Sequence, residues 1–407
     1  MMSGWARGQF QADYEQRIDF DTLRTSRLER ARAAMREQGV DAVFVWRDEN
    51  VRYLSSLRAI MIQYRASTTY GVFMHRDGDP VLFLSSGELA RAERDMPWIR
   101  GLVPIPIMDE AGLVEEVVRE KVRPVFAEHG VLDGKVALDA MTFQQHRAYD
   151  RHLAQVEWVD GDALMNAVRR VKVPQEIALL EEVTALADAV VASGTEAVRA
   201  GVRECEVSAA ATHTLFRLGG EFGHLASPFV ASGERMAPPT RFPTDKIIRH
   251  GDLVFMDIGA SWNGYFADVG RTVICGKPSP DQSRIYRAVY ESLQAGLAAI
   301  RPGARCSDVA RAFRLEAERH DLADRFINLF IGHGIGCAPT EHPFVGETMP
   351  GADDPILEAG MVLALEPLIW AEGVRGGGGV RIEDMVVVTE TGAHVMSRAP
   401  YDDGLLG

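Results

Sequence analysis

Cysteine is sparse and scattered in this chain. Four occur in 407 residues, Cys205, Cys275, Cys306 and Cys337, and no two stand in a CxxC spacing. That argues against a cysteine-built zinc site, and in a chain this long it predicts reduced thiols in a cytoplasmic protein. Long apolar runs are also missing. None reaches the roughly 18 residues that a membrane span requires, and the opening Met-Met-Ser-Gly-Trp-Ala-Arg-Gly-Gln-Phe contains no signal-peptide core. Positive charge is in deficit, with a formal net charge of −14. A general nucleic-acid binder needs a basic face, and so does a protein that docks on anionic membranes; neither is expected here. The glycine run Gly376–Gly379 lacks the Lys-Ser/Thr ending of a phosphate loop, so it reads as a flexible turn.

What is present is the composition of a globular protein, 46% apolar and 25% charged, in a chain long enough for two or three domains. Residues 1–168 alternate strands and helices: an amphipathic helix over 22–38 stopped by Gly39, a strand over 40–46, a hairpin of 69–74 with 80–85, a helix over 113–129 and a strand over 135–139. This pattern predicts a small α/β domain with a mixed sheet. Pro174 and Glu176 suit a helix start and open a second domain, 169–407, with a helix over 175–199. Further helices are expected over 203–218, 281–300 and 306–320, and strands over 227–232, 252–258, 264–275, 361–369 and 381–389.

Five residues of this second half carry the chemistry. Asp257 follows Leu-Val-Phe-Met, Asp268 sits in Phe-Ala-Asp-Val-Gly-Arg-Thr, and His333 opens His-Gly-Ile-Gly. Glu366 follows Met-Val-Leu-Ala-Leu, and Glu383 follows Val-Arg-Ile. Carboxylates at the ends of apolar runs are costly to bury without a counter-charge. Asp257 and Asp268, on consecutive strands around a turn at 261–264, can share one sheet face because side chains alternate with period two. Glycines on both sides of His333 let its imidazole point into a cleft. Four carboxylates and one imidazole balance two divalent cations and leave room for a bridging hydroxide, the usual route to a nucleophile at neutral pH. The donors are hard, so manganese, iron or cobalt fits best and zinc is possible. Arg381, close before Glu383, is placed to orient a ligand carboxylate. Cys337 reads as a packing residue.

These motifs resemble the "pita-bread" metallopeptidase family of methionine aminopeptidases, Xaa-Pro aminopeptidases, prolidases and creatinase. The likeness covers about residues 165–400, with the five ligand motifs in the family's order. The leading domain is similar to the extra domain of the creatinase–prolidase branch. Arg301-Pro-Gly-Ala-Arg-Cys-Ser-Asp, the stretch from Ile356 to Ile369 and the ending Ala399-Pro-Tyr-Asp-Asp look like creatinase, although creatinase lacks the full ligand set. The resemblance implies an α+β pita-bread catalytic domain behind a small α/β domain. It also implies a dinuclear hydrolase that cleaves a C–N bond in a small molecule or dipeptide, of Xaa-Pro dipeptidase type. A homodimer is implied as well, in which segment 60–65 borders a neighbouring site.

Two positions depart from the family. Thr240 and Thr340 stand where Xaa-Pro peptidases carry histidines that hold or protonate the substrate. Threonine is a poor general acid at neutral pH. Glu341 and His342 are then the candidate acid/base residues, with Arg381, His224 and Arg241 as candidate substrate contacts. The same departures leave open a non-peptidase of this fold: an amidinohydrolase of creatinase type, a hydrolase of a cyclic or betaine solute, or a sulfonium lyase like the branch that cleaves dimethylsulfoniopropionate. A binding protein without turnover is the non-enzymatic alternative.

Overall fold

A computed structural model describes residues 18–58, 69–223, 227–239, 242–327, 331–347 and 353–407. The chain divides into two compact units, Met1–Arg169 and Arg170–Gly407. Segment 60–65, expected at a subunit boundary, lies outside the described residues. Among the described residues no helix is long and apolar enough to cross a membrane.

The first unit is built on a six-stranded mixed sheet. Its order is Gly101–Ile105, Val81–Ser85, Gly71–His75, Ala42–Val45, Lys135–Leu138, Glu157–Asp160. Ala42–Val45 is central, antiparallel to one neighbour and parallel to the other, and all four of its residues are buried, as a strand covered on both faces requires. Phe44, Phe73, Phe83, Phe126 and Tyr149 form the core on one side. The helix expected over 113–129 is instead broken into Ala111–Val117, a wider π-turn at Val118–Val122, and Arg123–Glu128. Pro124 supplies the reason: it has no N–H for the ladder, and its ring crowds the preceding turn.

The second unit combines helices with small antiparallel sheets. Pro174–Ala197 starts on Pro174, and the Glu176 carboxylate accepts from Val173 N at 2.9 Å and from the Tyr265 hydroxyl at 2.8 Å. Glu204–Arg217 packs against this helix and against the strand Phe229–Ser232. The helix Pro174–Ala197 itself packs on a long hairpin, Leu253–Trp262 and Tyr265–Ile274. The first of these strands runs past the expected end at 258. The turn is only Asn263-Gly264, with φ of 49° and 67°, which matches the twist of paired strands. Pro280–Ala299 and Cys306–Arg319 pack as a second helix pair. Ser279 and Gln282 cap the first of these reciprocally.

Two expected strands turn out to be divided, and both divisions fall at proposed ligands. The stretch 361–369 is Val362–Leu365 and Leu368–Trp370, separated at Glu366 and Pro367. The stretch 381–389 is Gly379–Arg381 and Asp384–Val388, separated at Ile382 and Glu383. In each case one half lies in a five-stranded sheet and the other in a three-stranded sheet. Pro367 cannot donate to a ladder, so the chain leaves one sheet there and enters the other.

The glycine run does begin in a turn, at 375–376, but in crowded surroundings. A Cβ at Gly376, Gly377, Gly378 or Gly379 would collide with Gly251 O, Gly233 O, Ala371 O or Met236 O respectively. Gly376 and Gly377 also have φ of 78° and 94°, where side chains are strained. Gln282 Nε2 donates to Gly251 O at 3.0 Å and to Gly376 O at 3.1 Å, closing the passage from the side.

Candidate metal centre

The hairpin register fixes the first two carboxylates. Asp257 is opposite Gly270 and Asp268 opposite Gly259, so Gly259 and Asp257 share a face, and Asp268 shares it with them. Gly332–Gly334 brings His333 in beside Val362–Leu365, with His333 paired to Ala364. Glu366 and Glu383 follow from the two sheet crossings. All five side chains are buried.

The distances show groups gathered around a common point rather than hydrogen-bonded to one another. His333 Nε2 lies 3.6 Å from Glu366 Oε1 and 3.9 Å from Asp268 Oδ2. One ligating atom each from Asp268, His333 and Glu383 lie within 4.8 Å of one another. His333 Nδ1 is 2.9 Å from Gly334 O. A carbonyl only accepts, so Nδ1 carries the proton and Nε2 turns its lone pair to the carboxylates. Arg381 spans the group: Nη1 donates to Asp257 Oδ2 at 3.1 Å, and Nη2 lies 2.9 Å from Glu366 Oε2.

One guanidinium does not balance four buried carboxylates. Burial, followed by the charges of Asp257 and Glu366, pushes Asp268 well above the usual carboxylate range. Burial and the charges of Asp268 and Asp257 do the same to Glu383. Asp257 Oδ1 and Glu383 Oε2 are buried with no hydrogen-bond partner among the described residues. Oxygens of this kind are costly in a folded interior unless they hold a cation. The donor set and its unused oxygens therefore fit divalent ions.

The other candidates are placed differently. Glu341 and His342 are neighbours on the short strand Glu341–Phe344, whose residues alternate between buried and exposed. Glu341 faces inward, where its Oε1 accepts from Lys172 Nζ at 2.6 Å, both side chains being almost wholly buried. His342 faces outward and meets Phe344 edge to face at 4.7 Å between ring centroids. Thr340, just before the strand, is also exposed. His224, Thr240 and Arg241 lie outside the described residues. Sequence reasoning missed Lys172. The available signal was a lysine set between Val171 and Val173, a charge among apolar neighbours that needs a partner.

Comparison with known proteins identifies the family and the fold. The family description "Metallopeptidase family M24" matches residues 178–390, and "Creatinase/Prolidase N-terminal domain" matches residues 27–171. An Xaa-Pro dipeptidase of Pyrococcus furiosus is 28% identical over 375 residues, which is 91% of this chain and 97% of that protein. The solved structure of an Xaa-Pro dipeptidase from Bacillus anthracis superposes with a TM-score of 0.78 at 26% identity, covering 93% of this chain and 98% of the other. The prolidase from Pyrococcus furiosus gives a TM-score of 0.74 at 26% identity, covering 91% and 99%. With the ligand motifs lying inside the matched region, the chain belongs to metallopeptidase family M24, carrying the creatinase/prolidase N-terminal domain ahead of the catalytic one.

Proposed function

We propose that this protein is a dinuclear metal-dependent hydrolase that cleaves the C–N bond of small Xaa-Pro dipeptides. In this reading Asp257, Asp268, His333, Glu366 and Glu383 hold two divalent ions. One observation carries it: four buried carboxylates and a correctly protonated imidazole converge, while Asp257 Oδ1 and Glu383 Oε2 are left without hydrogen bonds among the described residues. The hard donors favour manganese, iron or cobalt, and zinc can be accommodated. When bound, such a pair supplies an activated water at neutral pH and polarises a scissile carbonyl.

The chain's own residues do the rest. Arg381 bridges Asp257 and Glu366, helping to fix where their remaining oxygens point. His342, exposed beside the ladder that carries His333, passes a proton to the departing nitrogen. Glu341, offered by the sequence as an acid/base residue, anchors this strand from inside through Lys172. The substrate class rests on relatives named Xaa-Pro dipeptidase and prolidase that match nearly the whole chain. A second copy of the chain is the proposed partner, by likeness to the same branch, and light scattering tests it.

The test is turnover of an Xaa-Pro dipeptide panel by protein carrying a measured two ions per chain, before and after chelation. Turnover lost with EDTA and regained with Mn²⁺ is expected, and Asp257→Ala should abolish both ion uptake and turnover. Ion-loaded protein that cuts none of the panel would overturn the substrate; a fully active Asp257→Ala protein would overturn the ligand set.

A further inference from the structure

Arg271 is on the same strand as Asp268, and its side chain is almost wholly buried. Every N–H of its guanidinium has an acceptor. Nε and Nη2 donate to Ala399 O at 3.1 and 2.7 Å. Nη1 donates to Gly270 O at 2.9 Å and to Glu383 O at 2.7 Å. The remaining Nη2 hydrogen goes to Asp384 Oδ1 at 2.7 Å. The Tyr401 ring lies 4.8 Å from the guanidinium carbon.

This arrangement matters because Glu383 belongs to no strand. It sits in the break between Gly379–Arg381 and Asp384–Val388, where its backbone makes an isolated bridge to Gly270. The bridge is uneven: Glu383 N donates to Gly270 O at 2.9 Å, but Gly270 N reaches Glu383 O only at 3.3 Å, and Arg271 supplies that carbonyl with a shorter bond. The next residue, Asp384, is fastened from the other side. Its oxygens accept from Ser397 Oγ and from the Tyr401 hydroxyl, each at 2.7 Å. Segment 397–401 is in turn tied to Asp188 through Arg398 N and Ala399 N, at 2.7 and 2.9 Å.

We infer that Arg271 is a positioning residue that holds Glu383 at the metal centre, and that segment 397–401 is fastened to that centre through it. The backbone of a ligand between two strands needs an external fixture, and a five-donor planar fork tied to three chain segments provides one. Lysine, with three donors at one point, cannot replace it. The inference rests on the ligand set proposed above.

The test is calorimetric titration of metal-free protein with Mn²⁺, alongside the melting temperature of the metal-free form and the ion count per chain. The proteins are wild type, Arg271→Lys, Tyr401→Phe and Ser397→Ala. Removing an outer partner of a metal ligand commonly costs about 10- to 100-fold in affinity. Arg271→Lys is expected to lose at least about tenfold for one of the two ions, and Tyr401→Phe and Ser397→Ala a smaller factor for the same ion. The metal-free melting temperature of the two milder variants should stay near wild type, which separates positioning from general support of the fold. If Arg271→Lys does not fold, Tyr401→Phe and Ser397→Ala decide. Folded variants that bind both ions as wild type does would overturn this inference alone. Wild-type protein that takes up no divalent ion would overturn the ligand set, and this inference with it.

Discussion

Gly270 and Glu383 face each other across a single antiparallel bridge, and a Cβ on Gly270 would lie 2.9 Å from Glu383 Oε2 and 3.0 Å from its Cβ. The position next to the metal centre is therefore reserved for a residue with no side chain. Gly270→Ala should displace the Glu383 carboxylate and weaken ion binding by about tenfold or more, while overpacking costs about 1–3 kcal/mol of stability. Ion counting and urea unfolding of the same preparation check both parts. Unchanged ion affinity would show that Glu383 can retreat without consequence.

Lys172 and Glu341 form a buried pair at 2.6 Å. Removing the ammonium alone leaves the carboxylate buried beside an apolar replacement, which typically costs about 3–5 kcal/mol. Lys172→Met is expected to show that loss in urea unfolding. Adding Glu341→Gln should recover part of it, because the buried charge goes too. A double variant no more stable than Lys172→Met would show that the pair is not the source of the effect.

His342 is exposed, and its ring is backed by Phe344. Loss of a positioned acid or base commonly lowers rates by about 10²–10⁴. His342→Ala should reduce kcat by at least about 10² with ion content intact. The contrast is Thr340→Ala, which removes a hydroxyl unsuited to proton transfer and should alter kcat far less. Equal effects from the two would remove His342 from the proposed chemistry.

Asp48 opens the helix Asp48–Ser55, and burial, aided by the charge of Glu49, pushes its carboxyl up to about 8 from an ordinary 3.8. The folded chain then keeps a proton that the unfolded chain releases. The resulting stability is fully present below the unfolded value and is lost as pH rises toward the folded one. Wild type should weaken between about pH 5 and about pH 8, and Asp48→Asn should weaken less over the same interval. Urea midpoints at the two pH values decide; parallel losses would place the titration elsewhere.

The sequence made the proposed ligands legible because each is an exception to its surroundings. Asp257 and Glu366 end runs of apolar residues that only a buried strand explains, and the alternation of the hairpin correctly predicts that Asp257 and Asp268 share a face. What it could not reveal was discontinuity. The strands around Glu366 and Glu383 read as single runs, since local propensity does not register that a chain changes sheets in mid-run. Pro367 was the one local clue. The π-turn ahead of Pro124 was missed for a similar reason: the helical period continues across it. Pairings between remote positions, such as Lys172 with Glu341 and Arg271 with Ala399, leave no periodic trace at all.

The crowding around Gly376–Gly379 gives those four residues a meaning opposite to the one their spelling suggests. Consecutive glycines ordinarily mark where a chain is free to wander. Here three stretches of main chain are threaded past one another with no space for a methyl group, and the strand leading to Arg381 and Glu383 starts at the narrowest point. The softest-looking word in the sequence is thus among its least editable, because a side chain added there would press on the main chain that leads to Arg381 and Glu383.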